Sequence, residues 1–164
     1  MKIVIVGCGR VGAVLAEGLD AAGHEVIVVD LSTRAFDRLS DEFKGQAVRG
    51  DGTDEDTLRR AGAVGADVFL ALTEGDNRNV MAAQVAVEKI EIEKVVAKIN
   101  DPVRAAAYAE LGITTVCRTT MLSDSILQFL NHEPSGIPSV IAAVAPHHEH
   151  GANAVAGAPA EGKA

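Results

Sequence analysis

Aromatic side chains are nearly missing from this chain, which has four phenylalanines, one tyrosine and no tryptophan among 164 residues. Its core must then be built from Val, Ile, Leu and Ala, a set that suits helices packed on a buried parallel sheet. Cysteine is scarce as well. Cys8 and Cys117 form neither a disulfide framework nor a CxxC pair, so a reduced, cytoplasmic compartment is expected. Long apolar runs are also lacking: Ile3 to Val6 is only strand-length, and 137–144 is too short to cross a bilayer. Neither a signal peptide nor a membrane span is expected. Positive charge is in deficit too. Fifteen Lys and Arg against 23 Asp and Glu give a formal net charge of -8. That balance argues against nucleic acid or an anionic membrane surface as a general partner, yet leaves room for a local basic pocket. No Ser/His/Asp or Cys/His arrangement is visible, since His24 precedes a strand and His132 follows the last helix. A dehydrogenase needs a substrate pocket and a positioned acid or base, and a chain of this length has no second domain to supply them.

What is present is a regular alternation. Lys2-Ile-Val-Ile-Val-Gly7 is continuously apolar, as expected of a parallel strand buried on both faces. A helix follows with Val11, Val14, Leu15 and Leu19 on one stripe and Gly23 as its stop. Five more strands are expected at Glu25–Val29, Gln46–Arg49, Asp67–Leu72, Lys94–Ala97 and Thr114–Cys117. Between them lie helical patterns. Ser32 caps a segment carrying Phe36, Leu39 and Phe43; Thr53 or Asp54 caps one carrying Leu58; others span Asp76–Lys89 and Pro102–Leu111. A last helix runs from about Thr120 to Asn131. Strict alternation over six strands predicts an α/β Rossmann fold: a doubly wound parallel sheet of order 3-2-1-4-5-6, with a ligand crevice at the carboxyl ends of strands 1 and 4. The dinucleotide-binding domain is expected to occupy 1–131. Residues 132–164 form an extension whose Ala/Gly-rich end, from Gly151, is expected to be a disordered tail.

Gly7-Cys-Gly-Arg-Val-Gly12 fits the G-x-G-x-x-G pattern. The six residues alone are a weak signal, but here they follow a strand, open a helix and precede Asp30 at the end of the second strand. Gly7 permits the turn, Gly9 lets the backbone approach a pyrophosphate, Gly12 allows close helix–strand packing, and the helix amides meet the phosphates. Asp30 is expected to accept hydrogen bonds from the adenosine ribose. Nothing in the sequence gives an acid there a packing reason. A carboxylate disfavours a 2′-phosphate, so NAD or another adenine nucleotide with a free 2′-hydroxyl is preferred over NADP, although Arg34, one turn on, softens that exclusion. Arg10 stands where it either meets phosphates or lies solvated at a helix end.

Further local patterns accumulate: Gly50-Asp-Gly-Thr-Asp54, Ala71-Leu-Thr-Glu-Gly-Asp-Asn77 with Asn79 beyond it, Ala97-Lys-Ile-Asn-Asp-Pro102, and Leu111-Gly-Ile113. Together, over about residues 1–131, they resemble the N-terminal nucleotide-binding domain of the Trk-type potassium uptake regulators, the KTN or RCK family. The resemblance implies a cytoplasmic regulatory subunit, not an enzyme, held at the inner face of the membrane by a potassium-translocating partner. It implies homodimers or rings that bind NAD(H) or ATP/ADP and change shape with the ligand to gate that partner. On this chain it carries the phosphates to Gly7, Cys8, Gly9, Arg10 and Val11, with Gly12 closing the motif, and the ribose to Asp30. Asp51 and Gly52 would flank the adenine, and Thr73 and Glu74 would lie by the distal ribose or nicotinamide side. Lys98 stands where the family often has an arginine that reaches the terminal phosphates; lysine keeps the charge and loses the planar fork. The helix of about 120–131 resembles the family's crossover helix, whose Leu122, Ile126, Leu127 and Leu130 suit either a partner subunit or an intrachain contact. The family's usual C-terminal ligand domain has no counterpart in the Ala/Gly-rich end, which suggests a half-length subunit working with a second, paralogous one. The alternative is a small NAD-dependent oxidoreductase or its detached cofactor domain.

Other signals have simpler readings. His147-His-Glu-His150 offers metal-type ligands but sits in the tail with no second cluster, so no metal site is expected. Cys8 at a helix start can stabilise a thiolate, but a small residue in a tight turn explains it. Asp51, Asp54, Glu55 and Asp56 are explained by capping and the helix dipole.

Overall fold

The structure, a computed structural model, describes residues 1–143. The strands are β1 (Lys2–Val6), β2 (Glu25–Asp30), β3 (Gln46–Arg49), β4 (Val68–Ala71), β5 (Lys94–Ile99), β6 (Thr114–Cys117) and β7 (Val140–Ile141). The helices are α1 (Arg10–Ala21), α2 (Glu55–Arg60), α3 (Asp76–Glu88), α4 (Pro102–Ala109) and α5 (Arg118–Phe129), with a 3-10 helix at Thr33–Arg38. They form one sheet of order β3-β2-β1-β4-β5-β6-β7. The first six strands are parallel, as the alternation requires, and β7 runs antiparallel to β6. The seventh strand comes from the stretch in which the sequence pattern fails. It is held by backbone pairing, Cys117 N donating to Ser139 O at 2.7 Å, rather than by an apolar periodicity that could be read beforehand. The tail from Gly151 and the His147–His150 segment lie outside the described residues.

Each face of the sheet carries its own core. On one, Ile3, Ile5, Val26 and Val28 pack with Ala13 and Ala16 of α1 and Ala35 of the 3-10 helix. On the other, Val4, Val6, Ile27, Val29, Phe69 and Val95 pack beneath α2, α3 and α4. The first helix differs from expectation. Val11, Val14 and Leu15 are exposed, Val14 by 70%, while Gly12, Ala13 and Ala16 are buried. Small residues win this face because α1 lies too close to β1 for branched side chains to fit between. The segment expected as a helix with Phe36, Leu39 and Phe43 is a short 3-10 turn that ends with Leu39 in extended conformation; those three side chains still pack against the sheet.

α1 packs on β1 and β2, α3 on β4 and β5, and α4 on β5 and β6. Over β4–β6 the α1 side of the sheet is less well covered: Val68, Leu70, Val96 and Val116 are only half-buried. α5 does not close that face, since Thr120 is its one buried residue while Leu122, Ile126, Phe129 and Leu130 are more than half exposed.

Buried polar groups tie the carboxyl ends of the strands together. Asn79 is fully buried and uses its whole amide. Its Oδ1 accepts from Thr73 N and Thr73 Oγ1 (both 2.7 Å), and its Nδ2 donates to Thr73 O (3.0 Å) and Lys98 O (2.8 Å). This one side chain clamps the end of β4 to β5. Asp76 does the same one turn earlier, accepting from Asn100 N, Asn100 Nδ2 and Asp101 N. Asn79→Ala would leave a buried amide and two carbonyls without partners, so we expect a loss of about 3 kcal/mol in chemical denaturation with an unchanged slope. A loss below about 1 kcal/mol would show that the clamp is dispensable.

Candidate functional site

At the carboxyl ends of β1, β2, β3 and β4 lies a cleft of about 290 Å³, near the lower end of the roughly 300–1,000 Å³ usual for small-molecule sites. Its floor is the glycine loop. Gly7 has φ of +105°, and a Cβ there would stand 2.9 Å from the Leu72 carbonyl carbon and Thr73 N, so only glycine fits between β1 and the end of β4. Gly12 is tighter still: a Cβ would lie 1.9 Å from Gly7 O. That approach brings the start of α1 onto the loop. Around Gly9, by contrast, nothing lies within 4 Å of where a Cβ would stand.

The start of α1 is electrostatically open. Gly9 offers no capping side chain and the first turn holds no acid, whereas α2 and α4 are capped by Asp54 and Asp101. The first intrahelical bond is from Ala13 N to Gly9 O, so the preceding amides have no acceptor inside the helix. An anion placed in the cleft would meet those donors and the positive end of the helix dipole.

Asp30 stands half-buried at the end of β2. Its Oδ2 accepts from Cys8 N and its Oδ1 from Ser32 N, both at 2.8 Å. The acid thus has a structural role that its spacing does not reveal, pinning the glycine loop to β2. An ionised carboxylate has about four acceptor positions, so capacity remains for two hydroxyls. Burial and the Asp30 charge push the Cys8 thiol above its ordinary pKa, with Arg38 opposing. The thiol is fully buried and protonated at neutral pH, in keeping with the small-residue reading.

Across the cleft, Asp51 folds back on Thr53, accepting from its N at 3.0 Å and Oγ1 at 2.8 Å, and Gly52 is buried against Val6. The opposite wall is made by Thr73, held by Asn79, and by the exposed Glu74. Of the residues expected at a site, Gly7, Cys8, Gly9, Asp30, Asp51, Gly52, Thr73 and Glu74 therefore line one cleft. Gly12 lies behind it. Arg10 and Val11 are exposed on the first turn of α1, outside the lining. Lys98 is also outside: it is 6% exposed on β5, and burial lowers its pKa, with Glu74 and Asp76 opposing and Arg118 adding to the effect. Among the described residues the lining cations are instead Arg38 and Arg78. Arg34 is not among them. In an α-helix Arg34 and Arg38, four residues apart, would share a face; the 3-10 stretch, with three residues per turn, separates them, and only Arg38 lines the cleft. Arg78 had a usable signal, since it is a cation in the first turn of a helix that begins at the end of β4.

Residues 3–119 match the family described as TrkA-N domain. The Trk system potassium uptake protein TrkA of Streptomyces coelicolor is 48% identical over 136 residues, covering 83% of this chain and 60% of that protein. This chain spans between 49% and 62% of the length of the first curated relatives it matches. Among solved structures, the TrkA-N domain of the inner membrane protein ybaL from Escherichia coli superposes with a TM-score of 0.68 at 24% identity, covering 79% of this chain and 96% of that one. The Kef C-terminal domain of Shewanella denitrificans in its AMP-bound form gives 0.65 at 25% identity, covering 80% and 83%.

Proposed function

Because the chain belongs to the TrkA-N domain family, we propose that it is the nucleotide-sensing part of a potassium transport regulator, binding NAD(H) or ATP/ADP in the cleft above β1 and β4. The observation that carries this reading is the uncapped start of α1 facing a cleft that also holds Asp30. The helix amides would take the phosphates, and Asp30 the two ribose hydroxyls without releasing the loop. The AMP named for the Kef relative is in keeping with an adenine nucleotide here. The reading assigns the protein no catalysis. The bound ligand is information, and it acts only if the bound state changes a contact with something else.

Two surfaces support such a contact. α5 presents Leu122, Ile126, Phe129 and Leu130 to solvent, and the β4–β6 face of the sheet is only partly covered. A second copy of the chain, related by a two-fold axis, would bury both at once, the commonest arrangement for self-complementary patches. In this reading the dimers build a homo-oligomeric ring, or one shared with a paralogous regulatory subunit, in the cytoplasm beneath a potassium-translocating membrane protein. Among the described residues no helix is long and apolar enough to cross a membrane.

Asp30→Ala should weaken NADH and ADP alike, by about ten- to a hundred-fold, because both carry the adenosine ribose. Calorimetric titration measures this, with the melting temperature followed alongside because Asp30 also holds the loop. Unchanged affinity for both ligands would remove the ribose from the end of β2. For assembly, Ile126→Glu should turn a dimer into a folded monomer in light scattering. Leu127 is less suitable, being half-buried within its own chain. A wild-type protein that stays monomeric at high micromolar concentration would contradict the dimer.

A further inference from the structure

Arg78 is the third residue of α3, on the wall of the cleft made by Thr73 and Glu74 and opposite Asp30. A cation in a first turn faces the positive end of its own helix, an unfavourable place for it. The one acid in that turn, Asp76, does not pair with it. Among the described residues Arg78 makes no hydrogen bond or ion pair, the single ion pair there being Arg59–Glu55. Its neighbours are committed elsewhere: the Asp76 carboxylate holds Asn100 and Asp101, and Asn77 Oδ1 accepts from Arg104. In a chain with a net charge of -8, this arginine has no acceptor among the described residues at the edge of the cleft.

The charge distribution in the cleft sharpens the point. Asp30, Asp51 and Glu74 line it against Arg38 and Arg78. Arg38 closes the 3-10 helix that follows Asp30 and lines the cleft with Asp30, Leu31 and Ala35, and so faces the half of the ligand common to all adenine nucleotides. With adenosine at that end and the first phosphate over Gly7–Gly9, the next group along the cleft reaches the wall that carries Arg78.

We infer that Arg78 selects among adenine nucleotides, its guanidinium binding the free terminal phosphate of ADP or ATP. This rests on the adenine-nucleotide reading of the cleft. A terminal phosphate offers a doubly charged group with oxygens spaced for the planar guanidinium fork. The second phosphate of a dinucleotide is esterified, carries less charge and continues into a neutral ribose. AMP has no group beyond the phosphate at the glycine loop. Selection among ligands is what a sensor needs, because a nucleotide shifts an equilibrium only by its differential affinity.

The test is calorimetric titration of wild type and Arg78→Gln with AMP, ADP, ATP and NADH. Arg78 is exposed, and an equal melting temperature for the two proteins checks that the fold is retained. The expected result is a loss of about ten-fold or more for ADP and ATP and of less than about three-fold for AMP and NADH. Equal losses for all four ligands, or no loss for ATP, would overturn the inference. If wild type binds and Asp30→Ala abolishes that binding while Arg78→Gln leaves ATP untouched, the selector role fails and the adenine site stands. If wild type binds none of the four, both fail together.

Discussion

The contact on which this molecule turns is the one between Gly12 and the carbonyl of Gly7, where a single added methyl would stand 1.9 Å from an oxygen. It draws the start of α1 onto the end of β1. From that closeness follow the small buried face of the helix, Gly12, Ala13 and Ala16, and the outward turn of Val11, Val14 and Leu15. It also sets the uncapped amides of α1 at the mouth of a cleft, where water or an anion must satisfy them. Packing and ligand chemistry are here the same constraint.

The rest of the carboxyl edge is held by polar side chains acting as struts. Asp30 pins the glycine loop to β2, Asn79 clamps β4 to β5, and Asp76 holds the start of the segment after β5. Most of these acceptors are spent on backbone amides, which leaves a stiff rim in which few groups remain free to meet a ligand. Glu74, Arg38 and Arg78 line the same cleft, and the α1 amides stand at its mouth. In the proposed reading, a bound nucleotide would act by changing how this rim, the exposed α5 and the half-covered sheet face meet a partner.

Much of this was legible beforehand, and the failures share a cause. Strand order followed from alternation, and the floor of the cleft from glycine spacing, because both depend on local backbone geometry. Of the expected stripe, Leu19 does pack on the core, but Val11, Val14 and Leu15 misled because periodicity records which residues are apolar and not how near a helix approaches its sheet. Strand β7 was invisible because two residues at an edge carry no period, and their hold on β6 is main-chain pairing. The second role of Asp30 depends on side-chain direction, which spacing does not give, and the position of Arg38 on a 3-10 turn where a helix was expected. Lys98 and Arg10, expected at the phosphates by resemblance, have their charges outside the cleft lining, one buried on β5 and one in solvent.

In the proposed reading, the glycine loop and the wall across from it together hold one adenine nucleotide. Backbone amide shifts in a nuclear magnetic resonance titration with ADP address it residue by residue. The account predicts saturable shifts concentrated at Gly7–Gly12, around Asp30 and Ser32, and along 73–78, with α5 and β7 changing less or only through assembly. Shifts confined to α5 and β7, or no saturable change at the glycine loop, would contradict it.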